Sequence, residues 1–405
     1  MTKTCIIIGA SHGGGQAAIS LRQSGWDGDI LLIGEEPVLP YHRPPLSKDF
    51  LQGGKDLEAL LIRPQESYET ANITTITEHQ AVILDREHKV VHLKGDHVFN
   101  YDKLILAMGA RPRLLPIPGA DLEGVFYLRN ADDVMQIKAS LETTKKAVII
   151  GGGYIGLETA ASLKKLGVSA TVLEATPRIL QRVTAPLMSD FYRRVHGEEG
   201  VEIIENCAAN GIEQTKDGLR VKTSAGAFDC ELVIVGIGVI PNTELAERSG
   251  LEVSNGIVVD DHMQTSDPDI YACGDMVWHY NKIYDRHIRL ESVPNATDQA
   301  KIAAANIAGG DKTYNALPWF WSDQFDLKLQ MAGLSDGYDD IVVRGDSLAS
   351  RSFAAFYFAK ERLIAVDAVN RPQEYMFGRK MIPLGKTIDK KALADEETPL
   401  KSLMK

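Results

Sequence analysis

Four cysteines in 405 residues (Cys5, Cys207, Cys230 and Cys273) and no C-x-x-C pair leave this chain without material for a zinc finger, an iron–sulfur ligand set or a local redox dithiol. Long apolar runs are missing too: nothing approaches the ~18–20 continuous apolar residues that cross a bilayer. Basic residues are outnumbered, 44 against 55 acidic. The net charge of −11 speaks against sequence-independent nucleic-acid binding, which needs a basic face to neutralise phosphate. Met1-Thr2-Lys3-Thr4 passes directly into Cys5-Ile6-Ile7-Ile8, a run too short for a signal peptide and followed by no small-residue cleavage site, so the expectation is a cytoplasmic protein. What remains is ordinary globular composition, 44% hydrophobic and 24% charged, long enough for two or three domains at ~100–200 residues each. Scattered thiols in such a chain read as core residues.

Glycine, in contrast, is concentrated where chemistry needs it. The β-rich run Thr4–Ile8 leads into Gly9-Ala10-Ser11-His12-Gly13-Gly14-Gly15, then a helical stretch from Gln16 to Ser24, then a strand Ile30–Ile33 ending in Gly34-Glu35. Strand, glycine turn, helix, strand and acid form a dinucleotide cradle. The glycines let backbone approach a pyrophosphate, the helix start offers free N–H groups, and the acid accepts hydrogen bonds from ribose hydroxyls. Ser11 stands where the second glycine of G-x-G-x-x-G usually sits. A second copy begins at the strand Ala147–Ile150 and matches the motif in full as Gly151-Gly152-Gly153-Tyr154-Ile155-Gly156, with a helix to Leu166, a strand Ala170–Leu173 and Glu174 near the expected spacing of ~20 residues. Two fingerprints imply two dinucleotides, and the economical pair is a flavin and a nicotinamide.

Each unit has a later buried strand ending in glycine and then proline: Leu104 to Pro112 with Ala107 and Gly109, and Leu232 to Pro241 with Gly238. Cys273-Gly274-Asp275 is expected to meet a helix N-terminus. From about Pro318 the pattern changes to strands at short spacing, Leu327–Ala332, Asp340–Arg344, Ser352–Ala359 and Leu363–Val369, with helical turns at Met376–Met381 and Lys390–Leu393. Ala394–Lys405 is polar and expected to be loose.

With these strings in view, the chain resembles the FAD-dependent pyridine nucleotide-disulfide oxidoreductase superfamily. Within it, the closest resemblance is to the ferredoxin reductase group of bacterial oxygenase systems. That resemblance rests on Tyr41-His42-Arg43-Pro44-Pro45-Leu46-Ser47-Lys48, Ala107-Met108-Gly109-Ala110-Arg111-Pro112-Arg113, Gly151 to Glu158, Glu291-Ser292-Val293-Pro294-Asn295-Ala296 and Pro318-Trp319-Phe320-Trp321-Ser322-Asp323-Gln324. It implies an α/β fold with two Rossmann-like, glutathione reductase-like domains and a C-terminal α+β domain with an antiparallel sheet. Residues 1–112 and 243–317 are expected to bind FAD, 113–242 to bind NAD, and 318–405 to form the C-terminal domain. Relatives that reduce disulfides carry a cysteine beside the flavin; here that region reads Pro44-Pro45-Leu46-Ser47-Lys48, so electrons must leave without a thiolate.

The resemblance further implies FAD held by Gly9, Ser11, Gly14, Glu35, Arg43, Lys48, Ala107, Gly109, Arg129, Asp275, Val293 and Trp321. It implies NADH held by Gly151, Gly153, Tyr154, Ile155, Gly156, Glu174, Arg182 and Gly238. Lys48, Glu158 and Trp321 are the implied catalytic residues. Lys48 would be a cation favouring the reduced flavin, Glu158 would steady charge developing on the nicotinamide and could pair with Lys48, and Trp321 would stack by the flavin. A carboxylate at Glu174 suits free ribose hydroxyls and so favours NADH, with Arg178 and Arg182 nearby. The implied partner is a [2Fe–2S] ferredoxin feeding a cytochrome P450 or a ring-hydroxylating oxygenase, with docking from basic residues such as Arg289, Lys301, Lys328, Arg344 and Arg351. The family contains monomers and weak homodimers. Two other functions are left open: an NADH oxidase or a quinone or dehydroascorbate reductase on the same fold, and an interaction flavoprotein resembling apoptosis-inducing factor.

Overall fold

A computed structural model describes residues 2–404; Met1 and Lys405, the ends of the expected first and last domains, lie outside it. The chain divides into two compact units: Met1–His42, Leu57–Arg111 and Ile240–Pro318 in the first, Arg43–Asp56, Pro112–Val239 and Trp319–Lys405 in the second.

The first unit is built on a five-stranded parallel sheet, in the order Ile270–Ala272, Lys103–Leu106, Thr4–Ile8, Asp29–Ile33, Ile73–Ile76. Cys5 to Ile8 are all buried, because a parallel sheet covered on both faces has no wet side and its strands are apolar throughout. The helices His12–Gln23 and Val293–Ile307 pack on each other, and each buries small residues, Ala17 and Ala18 on the first and Ala300, Ala303 and Ala304 on the second. The first helix starts at His12, four residues before the expected Gln16. Its opening glycines have poor helix propensity, but they are buried in the turn, and close approach there outweighs that cost.

The second unit repeats the parallel sheet, in the order Glu202–Ile204, Ser169–Leu173, Lys146–Ile150, Leu232–Val235, Val125–Tyr127. It also carries a five-stranded antiparallel sheet of Trp319–Gln324, Leu327–Gly333, Arg362–Val369, Phe353–Ala359 and Asp340–Gly345 in spatial order, covered by the helix Pro372–Leu384. Phe353 to Phe358 are buried without a break.

Two expectations are corrected. Gly274-Asp275 does not open a helix: it forms a turn into the strand Val277–Asn281, and the Gly274 N–H donates to the Gln299 side chain at 2.9 Å. The tail is not loose. The buried Arg344 guanidinium donates to the carbonyls of Leu393, Asp395, Glu396 and Thr398 at 2.5–3.1 Å, clasping residues 393–398. At 5% exposure Arg344 cannot serve as a docking residue. Arg351 is likewise committed, to Glu198, Glu199 and Asp326.

Candidate active site

The first glycine turn is fixed by sterics. Gly9 has φ +108°, and a Cβ there would lie 2.2 Å from the Ala107 carbonyl oxygen, so only glycine fits. A Cβ on Gly14 would lie 1.8 Å from the Gly9 oxygen; its absence lets the helix start pack onto the turn. Ser11 is the extended N-cap residue of a helix whose first turn holds no acidic residue. Glu35 is exposed, and the neighbouring Glu36 instead takes the Tyr41 hydroxyl at 2.6 Å. Gly109, at φ +62°, accepts the Asn242 N–H at 2.9 Å, while the Asn242 side chain donates to the Met108 carbonyl. Asp275 lies in the turn after Cys273, its carbonyl held by Arg289 at 3.0 Å. Val293 opens the helix capped by Ser292. All of these belong to the first unit.

In the second unit Gly151 repeats Gly9: φ is +115°, and a Cβ would lie 2.3 Å from the Gly236 carbonyl oxygen. A Cβ on Gly156 would lie 2.1 Å from the Gly151 oxygen, whereas around Gly153 there is open space. Tyr154 starts the helix Tyr154–Lys165, which also lacks an acid in its first turn; Tyr154 is tied to the Met331 sulfur at 3.1 Å, and Ile155 is exposed. The Glu174 carboxylate accepts from the Gly152 N–H and from the Thr176 N–H and hydroxyl, all at 2.7 Å. Arg178 donates to Ser189 and to the Gln181 carbonyl, while Arg182 is exposed beside Gly238.

A charged cluster lies in the same unit. Lys48 caps a short 3₁₀ turn, Pro44–Ser47, and its ammonium meets the Glu158 carboxylate at 2.6 Å. Glu158 is only 5% exposed. Ser47 Oγ donates to the same carboxylate oxygen at 2.6 Å and Ser322 Oγ to the other at 2.6 Å, so a buried charge is paired and hydrogen-bonded. Arg43 donates to the Arg129 carbonyl at 2.9 Å. Trp321 is half-buried, 5.6 Å from Trp319 centroid to centroid. Ser322 comes next on the strand, and the two-residue alternation turns it to the opposite face, toward Glu158. Ser47 and Ser322 were assigned no role on sequence. The alternation W-F-W-S-D-Q was the available signal for Ser322, but it becomes informative only once Trp319–Gln324 is known to be a strand.

All four cysteines are free and buried, and burial pushes the Cys230 and Cys273 thiols up to about 12. With all four enclosed, none is exposed as a thiolate relay would need to be. No group of metal-ligating side chains occurs among the described residues, and no described helix is long and apolar enough to cross a membrane.

Both turns fit a dinucleotide: each brings backbone N–H groups and a helix start, free of acids in its first turn, to a place where any side chain on the first glycine would collide. Comparison with known proteins agrees. The chain is 42% identical to putidaredoxin reductase of Pseudomonas putida, over 98% of this chain and 96% of that one. It superposes with TM-score 0.96 on the covalent putidaredoxin reductase–putidaredoxin complex, at 42% identity covering 99% of this chain and 98% of the other. It superposes with TM-score 0.95 on a ferredoxin reductase from Rhodopseudomonas palustris, at 41% identity and 99% coverage of each. A reductase C-terminal domain matches residues 319–404, and the pyridine nucleotide-disulphide oxidoreductase model matches residues 3–300; this chain belongs to that family.

Proposed function

We propose that the protein is an NADH:ferredoxin oxidoreductase serving a cytochrome P450 or ring-hydroxylating oxygenase. The observation that carries this is the combination of two dinucleotide turns in one chain with four buried thiols: electrons enter as a pair and have no accessible sulfur by which to leave. When bound, FAD accepts hydride from NADH and releases electrons singly, which suits a [2Fe–2S] protein. Putidaredoxin reductase, to which this chain is similar, is solved covalently joined to putidaredoxin.

In this reading 1–112 with 243–317 holds FAD, 113–242 holds NADH and 318–405 completes the enzyme. The first turn, with Gly9, Ser11 and Gly14, takes the FAD pyrophosphate, exposed Glu35 its ribose and Asp275 its ribityl side, while Ala107, Gly109 and Val293 line the remainder. Gly151, Gly153 and Gly156 take the NADH pyrophosphate. Glu174 disfavours a 2′-phosphate, and Arg178, already bonded to Ser189 and Gln181, has less of its guanidinium to offer one. Lys48, held by Glu158, supplies a fixed cation for an electron-rich ring, and Trp321 a stacking surface. The protein works in the cytoplasm as a monomer or weak homodimer.

The test is a visible spectrum of the purified protein, followed by NADH-driven cytochrome c reduction with and without [2Fe–2S] ferredoxins. A flavin spectrum and a rate that depends on ferredoxin are expected. Rapid NADH consumption by oxygen, unchanged by any ferredoxin, would overturn the assignment.

A further inference from the structure

Glu158 is the end point of a hydrogen-bond chain that starts at His196, on the helix Pro186–Glu198. His196 Nε2 lies 2.8 Å from Gln324 Oε1, Gln324 Nε2 lies 3.1 Å from Ser322 Oγ, and Ser322 Oγ lies 2.6 Å from Glu158 Oε1. Every side chain in it is buried: His196, Ser322 and Gln324 are at most 2% exposed.

The chain has one consistent direction. An amide oxygen only accepts, so His196 carries its proton on Nε2. Its Nδ1 is buried without a hydrogen-bond partner, so the ring is neutral; burial takes His196 down to about 4. The Gln324 amide then donates to Ser322, and the Ser322 proton goes to Glu158. Turning the amide over would set two acceptor oxygens against the single Ser322 proton and leave one of the two contacts with no hydrogen in it. Each donor therefore points at Glu158, while Ser47 and Lys48 donate to its other oxygen. The strand that supplies Ser322 and Gln324 on one face carries Trp319 and Trp321 on the other.

We propose that Ser322, backed by Gln324 and His196, is a positioning residue: it orients the Glu158 carboxylate, so that the C-terminal sheet sets where the Lys48–Glu158 pair stands. This rests on the reading of that pair as facing the cofactors.

The experiment is anaerobic stopped-flow bleaching of the flavin by NADH in the wild type, Ser322→Ala and Gln324→Met. A hydrogen bond to a charged group predicts a limiting rate about tenfold lower in Ser322→Ala and a smaller loss in Gln324→Met. FAD content and half-saturating NADH should be unchanged, and the resting flavin band should be displaced because Lys48 has moved with Glu158. A Ser322→Ala rate within twofold of wild type overturns the positioning role alone. So does a slower rate with an unmoved band and lost FAD. Should Ser322→Ala not yield holoenzyme, Gln324→Met decides, and a rate indistinguishable from wild type overturns the proposal. A wild type whose flavin NADH does not bleach overturns the underlying assignment, and the positioning role with it.

Discussion

After Ile8 the chain turns through Gly9 at φ +108°; after Ile150 it turns through Gly151 at φ +115°. In both turns the first glycine donates its N–H to the end of the next strand, Ile33 in one and Leu173 in the other. The two turns part at the acid. The residue that donates to the third strand is Gly34 in the first unit (to Ile76) and Glu174 in the second (to Ile204), so Gly34, not Glu35, occupies the place of Glu174. The reason is local packing: a Cβ on Gly34 would lie 2.5 Å from the Ala10 Cβ, whereas Glu174 faces Gly152 and bonds its N–H. One acid is thus displaced by a residue and left exposed, while the other is built into the turn. The same steric device holds both turns, but the Glu35 carboxylate stands exposed, whereas the Glu174 carboxylate spends lone pairs on its own loop.

The largest expected effects separate the two turns. Gly14→Ala and Gly156→Ala each force a Cβ to about 2 Å from a carbonyl oxygen, which the backbone must move to relieve. Gly14→Ala should purify without flavin absorbance. Gly156→Ala should keep its flavin but lose bleaching by NADH, with dithionite still reducing it. If both variants keep both properties, the turns do not bind the two dinucleotides. Next come the acids. Glu174→Ala removes a sugar acceptor and a loop brace together and should raise KM for NADH about tenfold, while Glu35→Ala removes only the acceptor and should weaken FAD by less, measured by titration of the apoprotein. A larger loss at Glu35 would reverse the comparison.

Sterically forced features were the most legible in the sequence. The glycine turns, the parallel strands after them and the short-spaced C-terminal strands follow from residue type and period alone. Lys48 and Glu158 became legible through the quoted strings, and the structure puts them 2.6 Å apart. What escaped depends on long-range partners. Ser322 and Gln324 have meaning only once their strand lies on the helix carrying Glu158. Arg344, to the eye a surface cation, is defined by four carbonyls more than forty residues away. Asp275 was given a helix because a glycine–acid pair after a strand so often precedes one; here the Gln299 side chain closes the turn instead.

The smallest contrast lies in buried ionisable groups. Each unit buries a histidine whose charged form is disfavoured by desolvation: His279 in the first and His196 in the second, both taken down to about 4. A folded value below the unfolded ~6.5 means stability that is present above pH 6.5 and is lost as pH falls toward 4. The second unit also buries Asp367, pushed up to about 6 by desolvation despite hydrogen bonds from Thr184 and Tyr357 at 2.6 Å. The sign for Asp367 is opposite: its contribution is present at low pH and is lost as pH rises through 6. On acidification the second unit therefore recovers part of what His196 loses, and His279 has no such counterweight among these three groups. Between pH 7 and 6, urea unfolding of His279→Phe should show a stability loss smaller than wild type by about 0.7 kcal/mol. Asp367→Asn keeps both incoming hydrogen bonds on its amide oxygen and deletes the counterweight, so its loss over the same interval should exceed the wild-type value by a few tenths of a kcal/mol. An Asp367→Asn protein that loses less than wild type would place the protonation of that carboxyl outside this window and remove the asymmetry between the units.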